Sequence, residues 1–152
     1  MSVILNSNNF DINKLFFIEE VKNNVKSNSF FSRIIYSTDY FALKNIYLTI
    51  SIKNVTFKDQ YLKTIVYFDE KNNDFTELYA TEEAILKKFI EYKTINKAYK
   101  KINPIYSIKS QCGQNFIKIF KNNYNESLIN ISIKISGIWQ TDNNIGLTFK
   151  FI

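Results

Sequence analysis

LINISIKISGIWQTDNNIGLTFKFI, residues 128–152, contains the clearest hydrophobic periodicity of the chain. Its first half has isoleucine at every second position, at Ile129, Ile131, Ile133 and Ile135, with a polar residue between each pair. A period of two is typical of a strand with one buried and one wet face. The first half therefore predicts one long strand.

The second half of the segment predicts a partner for that strand. Gly137 interrupts the alternation just before Trp139, and a glycine here favours a bulge or bend that re-aims a large side chain. The polar turn Asp142-Asn143-Asn144 follows. A second alternation then places apolar side chains at Leu147, Phe149 and Phe151. Together the two halves predict an antiparallel hairpin.

A family resemblance is carried by Gly137-Ile138-Trp139, the polar turn and Ile145-Gly146-Leu147-Thr148-Phe149-Lys150-Phe151. These residues resemble the C-terminal signature of small OB-fold single-stranded-DNA-binding proteins, which are encoded by cytoplasmic linear (killer) plasmids of yeasts and by related large cytoplasmic DNA viruses. The resemblance is close over residues 128–152 and elsewhere extends only to the order of elements. It implies an OB-fold and a role in DNA replication, and it carries the motif over to Gly137, Trp139, Gly146 and Lys150.

Length and composition predict one folded domain. A chain of 152 residues is long enough for one well-cored domain and short for two. Hydrophobic residues make up 45% of the chain and aromatic residues 16%, far from the composition of disordered proteins.

The positive charge is confined to one part of the chain. Residues 1–91 carry 11 Lys and Arg against 12 Asp and Glu, a net charge of −1. Residues 92–152 carry 9 Lys against 2 acidic residues, a net charge of +7. A basic segment of this kind predicts a polyanionic partner, and aromatics interleaved with the lysines favour a nucleic acid.

Several function classes are excluded by residue type. The chain has one cysteine, Cys112, and no histidine, which excludes an internal disulfide, a Cys/His zinc site and a His-activated nucleophile. The G-x-x-x-x-G-K-[ST] phosphate loop is absent, so we expect no enzyme activity and no cofactor. Met1–Asn9 shows no signal pattern, and no apolar run approaches the ~18 residues of a membrane span, which predicts a soluble cytoplasmic protein.

The N-terminal third alternates less regularly. Ser2–Asn9 is interpreted as an extended arm. Asp11–Asn24 places Leu15, Ile18 and either Val21 or Lys22 at a spacing of three to four residues behind a candidate cap at Asp11, which predicts a short amphipathic helix. Ser27–Ser37 is interpreted as strand or loop.

The middle of the chain predicts a three-stranded meander. Its strands are Phe41–Phe57, in which four apolar residues alternate from Ile46 to Ile52, then Tyr61–Phe68 and Phe75–Tyr79. Polar breaks at Lys58–Gln60 and Glu70–Asp74 separate them.

A change of period at Thr81 predicts a helix. Thr81 is a candidate cap, Glu82 and Glu83 follow it, and lysines end the segment at positions 97, 100 and 101. The predicted apolar stripe is Ile85, Leu86, Phe89, Tyr92, Ile95 and Tyr99. Beyond Pro104 we expect an element at Ile105–Lys109, a loop at Ser110–Asn115, a strand at Phe116–Phe120 and a turn at Lys121–Glu126.

The order of elements predicts a mainly β fold with helices, as an OB-fold-like five-stranded (extended) antiparallel barrel. The helix follows the third strand, and the hairpin is C-terminal. We interpret residues 1–152 as a single domain, with an N-terminal arm and short helix at 1–37 and the barrel at 41–152.

The first candidate binding surface is Phe116–Phe120. If Ile117 and Ile119 face the core, then Phe116, Lys118 and Phe120 form an exposed stacking platform with a phosphate contact at its centre. In the alternative register the phenylalanines are the buried set.

The other candidate contacts pair an aromatic ring with a lysine, or place either on the hairpin. They are Tyr47 with Lys53, Lys63 with Tyr67, Tyr106 with Lys109, and Lys134, Trp139 and Lys150. The competing explanation is that tyrosine favours strands and lysine is abundant here. Trp139 can plug the core or stack on bases, and the sequence leaves both open.

Two classes of function compete. The first is a sequence-tolerant binder of single-stranded DNA, or RNA, that protects replication intermediates. The second is a structural or adaptor protein whose basic surface docks an acidic partner, and a terminus-specific DNA binder lies between the two. The aromatic and lysine interleaving favours the first.

Overall fold

The computed structural model describes residues 4–6, 9–25, 27–96, 101–120 and 128–152. Within these ranges the chain is mainly β with helices, as the sequence predicted. The strands are β1 (Ile4–Asn6), β2 (Leu15–Phe17), β3 (Val21–Lys22), β4 (Phe30–Ser37), β5 (Ala42–Leu43), β6 (Ile46–Lys53), β7 (Thr56–Gln60), β8 (Lys63–Tyr67), β9 (Asn103–Ile105), β10 (Phe116–Phe120), β11 (Leu128–Gln140) and β12 (Asn144–Phe151). The helices are α1 (Thr76–Asn96) and α2 (Ser107–Cys112).

The predicted hairpin is confirmed and forms the centre of the larger sheet. β11 and β12 pair antiparallel, and their register shifts between Ile135 and Gly137, which is the bulge expected at that glycine. The alternating isoleucines of β11, from Ile129 to Ile135, are all buried. The alternation of isoleucines therefore predicted both the pairing of β11 with β12 and the face of β11 that is buried.

The larger sheet has the order β1-β6-β11-β12-β9. β6 pairs with the first part of β11 and buries its own alternating apolar residues, while β4 pairs with the part of β11 beyond the bulge. β1 joins β6 in parallel, so the described part of the predicted N-terminal arm is a strand. β2, β3 and β5 pair with β4.

The predicted helix at Asp11–Asn24 is wrong. Asp11 does act as a cap, but of a single 3-10 turn at Ile12–Lys14, after which β2 and β3 pair with β4. Phenylalanine, isoleucine and valine are weak helix formers, and β4 offers this segment a ladder of backbone hydrogen bonds. Of the two interpretations of Ser27–Ser37, the strand is the right one for Phe30–Ser37.

The predicted meander is only partly correct. The strand predicted over Phe41–Phe57 is divided into β5, β6 and the start of β7, with Asn54 turning the chain at a positive φ of 55°. Lys58–Gln60, predicted as a break, belongs to β7. Polar residues occur there because all three side chains are exposed on an edge strand.

The predicted strand at Phe75–Tyr79 and the predicted helix start at Thr81 are both wrong. α1 begins at Thr76, where Asp74 accepts a hydrogen bond from the backbone N–H of Thr76 at 3.0 Å. Thr81 lies inside the helix and donates its hydroxyl to the carbonyl of Glu77. The predicted stripe is buried at Ile85, Leu86 and Phe89, whereas Ile95 is 84% exposed. Residues 97, 99 and 100 of that prediction lie outside the described residues.

The element expected at Ile105–Lys109 consists of the end of β9 and the start of α2. The loop predicted at Ser110–Asn115 is wrong over its first half, which continues α2 to Cys112. The N-terminus of α2 is held by the buried carboxylate of Glu82, which accepts from the backbone N–H of Ile108 at 2.9 Å and of Lys109 at 3.0 Å. This cap is 26 residues away in the chain, so no local pattern indicates it. The turn predicted at Lys121–Glu126 lies outside the described residues.

The smaller sheet has the order β10-β8-β7, antiparallel throughout. Its inner face, the buried face of the larger sheet and α1 share one hydrophobic core. β10 contacts β12 without pairing with it, so the described strands form two open sheets and the predicted closed five-stranded barrel is not observed. Because β10 and β12 are in contact, the outer face of the smaller sheet lies next to the outer face of the larger sheet.

Candidate nucleic-acid interface

β10 presents its isoleucines to the core and its aromatic and basic residues to the outside. Ile117 and Ile119 are 2% and 1% exposed, whereas Phe120 is 53% exposed. Lys118 is exposed and Phe116 is half-buried. Of the two possible registers, the strand has the one in which Phe116, Lys118 and Phe120 share the outer face.

β8 extends this outer face with the residues opposite β10. Phe116 lies opposite Tyr67, and their ring centroids are 6.1 Å apart. Phe120 lies opposite Lys63. Tyr67 and Lys63 are both exposed, so one ring and one lysine of β8 adjoin the two phenylalanines and the lysine of β10.

Ile65 forms the floor at the middle of this face. It lies between Lys118 of β10 and Lys58 of β7 in the register of the small sheet. Ile65 is only 5% exposed, yet it is not among the residues of the hydrophobic core. Long lysine side chains bury their methylene stems along apolar surface while the ammonium group stays in water. The lysines flanking Ile65 are placed to cover it in this way.

A row of side chains continues from this face onto the larger sheet. Tyr47 and Lys134 are register partners, and the Nζ of Lys134 lies 5.9 Å from the centroid of the Tyr47 ring. Lys134 is also the partner of Lys150, whose Nζ lies 5.0 Å from the centroid of the Phe120 ring. Phe120 then faces Lys63. We call Tyr47, Lys134, Lys150, Phe120 and Lys63 the aromatic–lysine row.

The row crosses β6, β11, β12, β10 and β8 in turn. Three of its four steps join paired strands ~4.8 Å apart, and Lys150 reaches across the unpaired step from β12 to Phe120, so the row is roughly 20 Å long. Two of its lysines already rest on rings, contacts worth about 0.5–1 kcal/mol each at exposed sites. The ammonium groups are therefore held at the surface beside aromatic faces.

The row carries positive charge only. It contains three lysines and no carboxylate, and Lys118 and Lys58 add two more positive charges nearby. Lys134 and Lys150 lie directly opposite each other on antiparallel strands, an arrangement of like charges that destabilises a sheet. In the described ranges, none of these five lysines is in an ion pair, and the pairs that do form are Lys14 with Asp11 and Lys93 with Glu20.

Trp139 lies on the hairpin beyond the bulge. The register shift takes it out of phase with the buried isoleucines of β11, so Ile138 is buried and Trp139 is only half-buried. Its ring packs against Gly146, where a Cβ atom would lie 2.4 Å from the indole. The core-plug interpretation of Trp139 is therefore wrong. Stacking of Trp139 on bases stays a prediction, at a position outside the aromatic–lysine row.

The glycines of the hairpin signature both make room for aromatic rings. A Cβ at Gly137 would lie 2.4 Å from the carbonyl oxygen of Ser32 and 2.5 Å from the ring of Phe31, both on β4, and one at Gly146 would clash with Trp139. Phe31 and Trp139 are register partners. The two glycines of the signature thus each contact one half-buried ring, with Phe31 packed on Gly137 and Trp139 packed on Gly146.

Besides Trp139, three predicted contacts lie outside both the row and the outer face of the small sheet. Lys53 shares the outer face of β6 with Tyr47 but lies six residues away, about 20 Å along the strand. Tyr106 and Lys109 belong to the region of α2, not to a strand. They line a cavity of about 270 Å³ together with Tyr79, Glu82 and Glu83, and the Nζ of Lys109 lies 5.9 Å from the Tyr79 ring centroid.

Glu82, which lines that cavity, and Cys112, which lies beside Tyr79, are both buried. Burial raises the pKa of Glu82, against the backbone N–H groups that lower it. Burial is also the main cause that raises the pKa of the Cys112 thiol to about 12, so the thiol is protonated and unreactive near neutral pH. Within the described residues, no group of three or more acidic, cysteine or histidine side chains is placed to hold a metal ion.

Sequence reasoning missed Lys58 and Ile65. Lys58 was assigned to a polar break between strands, and Ile65 was not singled out in the strand predicted at Tyr61–Phe68. The available signal was the alternation of Thr56, Lys58 and Gln60 with Phe57, which is typical of an edge strand with one polar face.

None of the described helices is long and apolar enough to cross a membrane. Comparison with protein-family models, curated proteins and solved structures finds no match to this chain.

Proposed function

We propose that the protein binds single-stranded DNA without strong sequence preference, through the aromatic–lysine row and the outer face of the small sheet. Proteins of this kind combine a positively charged track for the backbone with aromatic side chains on which bases stack. The observation that carries the proposal is the row itself, in which two rings and three ammonium groups lie side by side across five strands with no carboxylate among them.

The charge arrangement supports a polyanionic ligand. Lys134 and Lys150 repel each other across the hairpin, and bound phosphates relieve this repulsion. A row roughly 20 Å long with three lysines, and two more beside it, fits contacts to three to five phosphates.

The exposed rings favour nucleic acid over an acidic protein. An acidic partner needs only the lysines, whereas Phe120 is 53% exposed and Tyr67 39% exposed next to them. Stacking of a base on such a ring contributes about 1–3 kcal/mol and tolerates any base. Docking of an acidic protein is therefore the alternative outcome of the experiments below.

The proposed kinship with OB-fold single-strand-binding proteins of linear plasmids and cytoplasmic viruses rests on the hairpin signature. Gly137, Trp139 and Gly146 act together in the bulged hairpin, and Lys150 belongs to the row. On this proposal the protein acts in the cytoplasm, protects single-stranded replication intermediates, and has no catalytic step or cofactor.

The test is a set of lysine variants with one matched control. Lys63→Gln and Lys150→Gln should each weaken binding to oligo-dT and reduce the salt slope of log affinity by about 0.7, the value for one lost phosphate contact. Lys87→Gln, an exposed lysine on α1, should change neither. Equal effects of all three variants would mean that the positive charge acts only through the overall field.

A further inference from the structure

The hairpin between β7 and β8 ends in two exposed apolar residues. Gln60 pairs with Lys63, so the loop consists of Tyr61 and Leu62 alone. Tyr61 is 93% exposed and Leu62 is 67% exposed. Two-residue hairpin loops favour Asn, Asp and Gly, and neither residue belongs to that set.

The backbone of this loop is unfavourable for the side chain that it carries. Tyr61 has a positive φ of 31°, and the other non-glycine residues with positive φ in the described ranges are all asparagines. Asparagine tolerates this region, whereas a bulky residue there is an outlier whose strain points to a functional constraint. The chain therefore holds an aromatic ring in solvent at a position that suits glycine.

The tip lies at the end of the aromatic–lysine row. Lys63, the last residue of the row, directly follows Leu62, and Tyr61 is about 7 Å of chain from Lys63. On the other side of the tip, Gln60 continues β7 beside the small-sheet face. A single strand that follows the row thus leads to an exposed tyrosine and leucine.

We propose that Tyr61 and Leu62 form a wedge that stacks on the terminal base pair where a bound single strand enters a duplex. The inference rests on the proposed function and specifies its substrate as a single-strand/duplex junction. Apolar side chains placed against base steps unstack them or cap them, and an aromatic ring has the face that such stacking needs. The row would hold the single-stranded tail, and the wedge would mark the point where pairing begins.

Two DNA probes test the inference: an oligo-dT tail alone, and the same tail joined to a short duplex. The protein should bind the tailed duplex about fivefold or more tighter than the tail, the lower end of the contribution of one stacked base. Tyr61→Gly should abolish this ratio and leave affinity for the tail unchanged. Because glycine suits the positive φ of this position, the variant should fold at least as well as the parent.

Tyr40→Gly is the matched control. Tyr40 is also 93% exposed but lies in the loop between β4 and β5, neither of which contributes a residue to the row, so this variant should keep the ratio. Binding of the tail with no preference for the junction, or a preference that survives Tyr61→Gly, would overturn the wedge and leave the proposed function standing. No binding to either probe would overturn both.

Discussion

Replacing Phe120 by alanine separates a binding role from a folding role on β10. Phe120 is 53% exposed and Ile119 beside it is 1% exposed. Full burial of a phenylalanine contributes up to about 3 kcal/mol, so removal of this half-exposed ring should lower the free energy of unfolding by about 1–1.5 kcal/mol. Ile119→Ala removes a fully buried side chain and should lower it by about 2–5 kcal/mol.

Binding should follow the opposite order. Phe120→Ala loses one stacking platform, worth about 1–3 kcal/mol, which is roughly a 5- to 150-fold loss of affinity for oligo-dT. Ile119→Ala, assayed below its melting temperature, should bind like the parent. Thermal melts and anisotropy titrations of the same samples measure both quantities.

Phe16→Ala is a close control for the ring. Phe16 is 55% exposed, and the Nζ of Lys88 lies 5.5 Å from its ring centroid, much as Lys150 lies over Phe120. Because Phe16 is on β2 and not in the row, its loss should lower stability similarly and leave binding unchanged. If Phe120→Ala binds like the parent, or Phe16→Ala weakens binding as much, the ring of Phe120 is not a stacking platform.

Further variants test the frame that holds the row. Gly146→Ala should lower stability by about 1–3 kcal/mol and change the tryptophan emission, because the new Cβ would lie 2.4 Å from the ring of Trp139; an unchanged melt and spectrum would contradict the close approach. Lys88→Met should lower stability, since the Nζ of Lys88 donates to two backbone carbonyls near the first 3-10 turn at 2.7 Å each; a melt like that of the parent would contradict it. Deletion of β12 should abolish cooperative unfolding, and a truncated protein that still melts cooperatively would show that β12 is dispensable. Burial raises the pKa of Glu82 in the folded protein above its usual value of about 4.5, so the folded state binds this proton more tightly than the unfolded state. The free energy of unfolding of the parent, relative to that of Glu82→Gln, should therefore fall as the pH rises from about 4.5 through the raised pKa. Parallel curves of unfolding free energy against pH for the two proteins would refute this.

Local periodicity predicted the parts of the fold that pair along one face. The isoleucines of β11 and the apolar residues of β6 alternate strictly, so the buried faces and the hairpin followed from the sequence. The helix prediction for Asp11–Asn24 was wrong because the spacing of its apolar residues fits a helix as well as a strand. Pairing with the distant strand β4 decides in favour of the strand. The start of α1 was missed because Phe75 and Leu78, both buried, occur in a segment short enough to pass for a strand.

The candidate site was predictable residue by residue but not as an assembly. The register of β10 was one of two open alternatives, and burial of Ile117 and Ile119 in the shared core selects it. Sequence gave no indication that Lys150 of β12 meets Phe120 of β10, because the two strands touch without pairing. The cap that Glu82 provides for α2 was hidden for the same reason, since it depends on a contact between distant segments.

The central claim is tested most directly by the salt dependence of binding to a single strand and to a duplex of equal length. Anisotropy titrations of labelled oligo-dT between low and moderate salt should give a slope of log affinity against log salt of roughly −2 to −3.5, for three to five phosphate contacts at about 0.7 each. The duplex should bind more weakly at every salt concentration. Binding that does not depend on salt, or that prefers the duplex, would contradict the account.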